Sequence, residues 1–318
     1  RDRVQPPAPH PHVRQLGDIY EGLLGGRLVR ENGRLRLKDE SGEKNHRDGI
    51  IYTPDWIVEF LVRETLTPLL IEVEAAEAVQ RALASKAEER RRDNAFAFAV
   101  LRLNVVDPAM GSGHFLVRAV EWLADRIVEH PTTRRMTERI VATGATQRTR
   151  EAILADGLIP VPPGVPHEQA ETAYWRRRVV ESCIYGVDIN PMAVELAKLA
   201  LWLTCIAADE PLSFLDHHLL CGNSLVYARP EEMNRLPARP GDAERFADFS
   251  SHLPARLAAA VRRNLAIEAE ASTALAIVKR KEDAWRKVQD DLAPLVALAD
   301  LWADHLATAD GPLTDLEW

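Results

Sequence analysis

Cysteine, long apolar runs and excess positive charge are all scarce in this sequence, and each scarcity removes a class of protein. Only three cysteines, Cys183, Cys205 and Cys221, occur in 318 residues. An odd number at no zinc-ligand spacing excludes a disulfide framework and a cysteine zinc site. All three are expected to be free thiols buried as small hydrophobes in a reducing cytoplasm. No apolar run reaches the length a bilayer-spanning helix needs, so no membrane partner is expected. Residues 1–12 are rich in proline and histidine and lack the apolar stretch of a secretory signal. The chain starts at Arg1 rather than methionine and stops at Trp318, so it is expected to be a piece of a longer protein. Acids outnumber bases by 48 to 40, a net charge of −8, which gives no broad basic face for a phosphate backbone. Short basic runs at Arg90–Arg92, Arg176–Arg178 and Lys279–Lys281 are flanked by acids or fall in helical patterns. They are expected to be solvated helix faces.

A hydrophobic fraction of 46% is enough for one large domain or two smaller ones, each with a core. Residues 1–48 are polar and broken by proline and glycine; residues 16–24 read as a short helix ended by Gly25 and Gly26. Pro54 suits the first turn of a helix over residues 55–70, with Ile57, Phe60 and Leu61 at helical spacing. Residues 71–92 read as its charged, alanine-rich continuation. The period then changes. Residues 103–107 form a short apolar strand pattern broken by Pro108. A glycine turn follows, then an amphipathic helix from His114 to about Glu129. Residues 131–167 read as an inserted loop region. A second strand over 183–188 leads into a helix over 191–207, and a third strand is expected around 219–225. Such βαβ alternation specifies an open parallel sheet. From about residue 254 to 308 the pattern is helical, two or three helices forming a hairpin.

The chemistry concentrates in Asp107-Pro108-Ala109-Met110-Gly111-Ser112-Gly113-His114-Phe115-Leu116, where a strand becomes a helix. A turn without side chains at the carboxyl end of a parallel strand lets a ligand approach the backbone. The helix start then offers free N–H groups. A dinucleotide fingerprint would need a third glycine where Leu116 stands. It would also place a pyrophosphate against the carboxylate of Asp107, which repels it. A cationic amino-acid moiety suits Asp107 better. The acid ending the second strand, Asp188, follows 81 positions later and can accept hydrogen bonds from ribose hydroxyls. S-adenosyl-L-methionine carries both groups.

These segments resemble the motifs of the adenine-N6 DNA methyltransferases, in particular the large type II restriction–modification methylases and the methyltransferases of the BREX and DISARM phage-defence systems. The ten residues from Asp107 to Leu116 look like motif I of that family, with Met110 where cysteine is commoner. Tyr52-Thr53-Pro54 looks like motif X, Gly186 to Pro191 like motif II, and residues 215–226 like the motif III region. The likeness runs from about residue 48 to 228.

The resemblance implies a class I S-adenosylmethionine-dependent methyltransferase fold: α/β, with an incomplete Rossmann-like parallel sheet, an N-terminal helical segment and a C-terminal helical insertion. It implies an N-terminal segment over 1–48, a cofactor-binding core over 49–228 and a helical insertion over 229–318. The residues it assigns to the cofactor are Tyr52, Thr53, Pro54, Asp107, Pro108, Ala109, Met110, Gly111, Gly113, His114, Phe115, Asp188, Ile189 and Asn223, the last near the cofactor's adenine. It implies double-stranded DNA as partner, held mainly by regions outside this chain, and other subunits of a defence system.

One departure from the family is plain. The catalytic motif, Asn/Asp/Ser-Pro-Pro-aromatic, which holds the flipped base, does not occur in these 318 residues. Asn190-Pro191-Met192 belongs to motif II, and Val161-Pro162-Pro163-Gly164 has no acid or amide before it. No catalytic residue is therefore expected here. In the family that motif follows the fourth strand, expected beyond Trp318. No cysteine follows a proline, so a cytosine-C5 nucleophile is absent. Cytosine-N4 methylation and a non-catalytic, cofactor-binding scaffold subunit remain as alternatives. His217-His218 and the pair His10/His12 invite a metal reading, but neither has a third ligand at metal spacing, and no metal is expected.

Overall fold

The computed structural model describes residues 26–31, 34–39, 53–85, 94–133, 166–205, 211–225, 243–269, 272 and 274–308. The expected helix over 16–24, with Tyr52, Arg90–Arg92, His10 and His12, lies outside them. Gly26, expected to follow that helix as its stop, opens a strand. Strands β1 (Gly26–Glu31) and β2 (Arg34–Asp39) pair antiparallel, Glu31 opposite Arg34. The described part of the N-terminal segment is thus a hairpin rather than helical. Its signal was Asn32-Gly33 between two runs with alternating apolar residues, a strong hairpin pattern.

Helix α1 (Asp55–Ala75) starts one residue after Pro54, which sits at the N-cap rather than inside the first turn. Its buried stripe is Val58, Val62, Leu66 and Leu70, at fourfold spacing on one face. The expected face is corrected: Phe60 and Leu61 are exposed, Ile57 half-buried. The helix breaks at Ala76, whose ψ of 138° is extended, and resumes as α2 (Glu77–Ala84), so one long continuation to residue 92 does not form. Helix α3 (Ala95–Val100) follows, an apolar run burying Phe96, Ala97 and Val100.

Strand β3 (Val105–Asp107), helix α4 (His114–Glu129), helix α5 (His167–Cys183), strand β4 (Ile184–Asp188), helix α6 (Pro191–Thr204) and strand β5 (Leu219–Cys221) form the α/β unit. The sheet order is β3-β4-β5, parallel throughout, with Asp107 opposite Gly186 and Asp188 opposite Cys221. All three strands therefore end along one edge. Helix α4 buries Leu116, Val120, Leu123 and Ile127 against α1, α5 and α6.

Helix α5 was expected only as a solvated face around Arg176–Arg178; its extent and burial were not, because its buried face carries charge. Arg177 and Glu181 are both buried, so the Arg176–Arg178 run is not a solvated face. Arg177 donates to the carbonyls of Pro211 and Ser272 and lies 3.4 Å from Glu181. Lys281 of the third basic run is buried too, donating to Ser272 Oγ. Backbone carbonyls and a carboxylate replace the water these cations lose. Cys183 and Cys205 are buried as expected, but Cys221 is exposed at the end of β5.

Helices α7 (Ala243–Ala269) and α8 (Leu275–Thr308) pack on each other, and α7 touches α5. Phe214, Ile267 and Val278 form a small apolar cluster where this pair meets the α/β unit. Among the described residues no helix is long and apolar enough to cross a membrane.

Candidate cofactor site

The sheet's carboxyl edge positions the site. Asp107 ends β3, and its Oδ1 accepts from Ala109 N at 3.0 Å, which curls the chain into the turn. Met110 N then donates to Val187 O of the next strand, fixing the turn against β4. Gly111 adopts φ +54° and Gly113 φ +85°, the left-handed region that glycine enters without strain. The two have different reasons to lack a side chain. A Cβ at Gly113 would lie 3.1 Å from Ala197 Cβ, so this glycine lets α4 approach α6. A Cβ at Gly111 would meet nothing within 4 Å; that side of the turn is open.

Asp188 ends β4 and reaches across to the turn. Its Oδ2 accepts from Gly111 N at 2.8 Å, and its Oδ1 from Asn190 N at 2.9 Å. Asn190 in turn caps α6, its side chain accepting from Met192 N, with Pro191 as the first helical residue. Gly222 N donates to Asp188 O, which brings the end of β5 alongside. Asn223 is exposed next to it, its Oδ1 accepting from Leu225 N. Burial pushes the Asp107 carboxyl above the ordinary aspartate range, and the nearby Asp188 charge adds to the rise. Two carboxylates at one sheet edge favour a ligand that brings positive charge and hydroxyl donors, and disfavour a phosphate.

The remaining expected residues fall around this core. His114 begins α4, and its Nε2 lies 3.0 Å from Asp55 Oδ1. Asp55 also accepts from Arg118, 2.9 Å from its Oδ2, and this guanidinium pulls its carboxyl below the usual range. Through Asp55 the start of α1, with half-buried Thr53 and exposed Pro54 just before it, is tied to the start of α4. Pro108 and Ala109 are exposed in the turn, Phe115 is half-buried and Ile189 is 66% exposed beside Asp188. Met110 is different: its side chain is buried in the core, filling the space a Cβ at Gly186 would need. It therefore does more than contribute backbone, and only its backbone is left for a ligand.

Sequence reasoning missed Asp55 as the connector. Its signal was an acid directly after Tyr52-Thr53-Pro54 and a basic residue four positions after His114. A groove of about 330 Å³ opens beside Asp107, lined by Leu61, Thr65, Val106 and Phe115 among others. A larger one of about 630 Å³, between α1, α2 and α4, includes none of the expected site residues.

Comparison with known proteins agrees with the motifs. The model of the DNA-methyltransferase domain of MmeI matches residues 83–218, and that of the Eco57I restriction-modification methylase matches residues 182–292. A protein of Methanocaldococcus jannaschii, named as a type II restriction enzyme and methyltransferase, is 24% identical over 245 residues, 70% of this chain and 17% of its own length. The adenine-specific methyltransferase PglX of Streptomyces coelicolor is 22% identical over 221 residues, 67% of this chain and 12% of its own length. This chain thus spans less than a fifth of either relative. No solved structure matches significantly. The likeness to restriction–modification methyltransferases carried by the motifs is borne out.

Proposed function

We propose that this chain, of restriction–modification methyltransferase type by its matches across residues 83–292, is the cofactor-binding half of a class I S-adenosylmethionine-dependent DNA methyltransferase acting on adenine N6. One observation carries the reading. Two acids ending adjacent parallel strands converge on a glycine turn, Asp188 bonded to Gly111 N at 2.8 Å and the outer side of Gly111 open. Methyltransferase families generally use S-adenosylmethionine, and the residues fit it. Asp107, half-buried and raised in pKa by that burial, is stabilised as a carboxylate by a ligand ammonium. Asp188 keeps lone pairs for ribose hydroxyls after its two backbone bonds. Gly111 lets the ligand reach the backbone. Ile189, exposed, offers an apolar surface to a base, with Asn223 near its polar edge.

When bound, the cofactor supplies an electrophilic methyl group on sulfonium. The chain's own residues hold it in register, with Thr53 and Pro54 kept at the methionine end through Asp55 and His114. Alignment within about 3–3.5 Å of the incoming amine is the main source of rate, and no covalent protein intermediate is needed. The base-holding Asn/Asp/Ser-Pro-Pro-aromatic tetrapeptide is not in these 318 residues, and the net charge of −8 gives little grip on phosphates. Base holding and most DNA contact therefore belong to other regions of the protein. The adenine-specific name of the Streptomyces relative supports adenine as target, and the restriction-enzyme-and-methyltransferase name of the Methanocaldococcus relative supports a restriction–modification setting. Residues 49–228 form the cofactor core in this reading and 229–318 the helical insertion.

Long-read sequencing of DNA from a host carrying the whole gene tests it. Modified adenines within one short motif, lost on Asp107→Ala, are expected. Modified cytosines would overturn the adenine assignment, and no modification at all would favour a scaffold.

A further inference from the structure

The expectation that His217 and His218 lack a third ligand is overtaken by the fold, which brings Glu268 of α7 to them. We propose that His217, His218 and Glu268 form a binding site for one divalent transition-metal ion of the Zn²⁺ type, pinning α7 to the sheet. Their ligand atoms lie within 4.8 Å of one another, and the two histidines are buried.

The protonation pattern is that of ligands. His218 Nδ1 lies 2.7 Å from Ile184 O, a group that only accepts, so Nδ1 carries the proton. In the neutral ring this leaves the Nε2 lone pair pointing outward, 3.6 Å from Glu268 Oε1, and Nε2 has no hydrogen-bond partner. Two acceptors facing each other repel unless a cation lies between them. His217 is buried with neither ring nitrogen hydrogen-bonded. An unmet buried polar atom of this kind is costly, and a bound ion would satisfy it.

Outer groups are arranged as metal sites require. Tyr185 Oη and Asn264 Nδ2 each donate to Glu268 Oε1 at 3.0 Å and orient the carboxylate. Tyr185 stacks on His218 and Phe214 on His217, fixing both rings. Lys281 opposes the ion's charge, and Glu268 offsets it. Tetrahedral zinc with bonds of about 2.0–2.2 Å spaces its ligand atoms by roughly 3.4 Å. The His218–Glu268 pair already has that spacing, and His217 needs to swing inward by on the order of an ångström. Three protein ligands leave the fourth tetrahedral position for a water.

Metal content of the whole chain, purified without chelator from zinc-supplemented cells, tests the site. About one zinc per chain is expected, falling well below that in Glu268→Gln and in His217→Ala. The chelator-treated wild type should regain its melting temperature with added Zn²⁺. With Co²⁺ it should show the visible absorption of a tetrahedral site. If a variant does not fold, the wild-type Co²⁺ titration alone decides. A folded, chelator-treated wild type that takes up neither ion and melts unchanged would overturn the proposal. So would equal zinc in wild type and variants. In either case the cluster would be a buried His218–Glu268 ion pair.

Discussion

At the residue scale the two glycines of the turn separate binding from folding. Gly111→Ala places a methyl in open space, at a left-handed φ costing about 1–2 kcal/mol. It should weaken S-adenosylmethionine binding far more than it lowers the melting temperature. Gly113→Ala adds a clash with Ala197 to the same backbone cost and should destabilise more, by roughly 2–4 kcal/mol. Paired thermal melts and binding titrations distinguish them. Asp107 gives a pH signature. Its folded carboxyl is raised above 3.8, so the folded state prefers it protonated. That contribution to stability is full below the unfolded value and is lost as pH rises through the folded one. Asp107→Asn should therefore melt higher than wild type at neutral pH, with the gap closing as pH falls toward 3.8, while it binds cofactor more weakly. Equal melting of the two proteins at neutral pH would contradict this. The sequence displayed both acids and both glycines. It did not display the bond from Asp188 to Gly111 N, because 77 residues separate them and only the parallel register brings them together.

Legibility varied from element to element with how closely each segment obeys one period. Helix α4 is amphipathic with an unbroken apolar face, and its expected bounds, His114 to Glu129, are those observed. Strands β3, β4 and β5 were found in place, each a little shorter than its apolar run. The burial and extent of helix α5 were missed because its inner face carries Arg177 and Glu181, which pattern reading sends to solvent. Those two residues join the α/β unit to the helical pair. Glu181 accepts from Ser213 Oγ at 2.7 Å and from Ser272 N at 3.3 Å. Glu181→Ala would leave Arg177 as a buried cation without its carboxylate, a loss of about 3–5 kcal/mol. Hydrogen exchange should rise first in α7 and α8 and only later in α4. Protection unchanged in α7 and α8 would show that the junction rests on apolar contact alone. The link between α1 and α4 is weaker. The Asp55 side chain is 33% exposed, so Asp55→Asn should cost less than about 1 kcal/mol of stability. Cofactor affinity should nonetheless fall roughly fivefold to tenfold, about 1–1.4 kcal/mol, because Thr53 and Pro54 lose their anchor.

For the whole molecule, the sheet edge and the charge balance point to a division of labour. The carboxyl ends of β3, β4 and β5 gather Asp107, Asp188 and Asn223 at one site. The chain as a whole has a net charge of −8 and carries no base-holding tetrapeptide. In the proposed reading, this chain binds a small cationic cofactor and nucleic acid is held mainly by other regions of the protein. Titration calorimetry of the 318-residue chain with S-adenosylmethionine and with NAD, on wild type and Asp107→Asn, tests this most directly. The account predicts one saturable site for S-adenosylmethionine, weakened at least tenfold by Asp107→Asn, and no site for NAD. Tight NAD binding without any response to S-adenosylmethionine would contradict it.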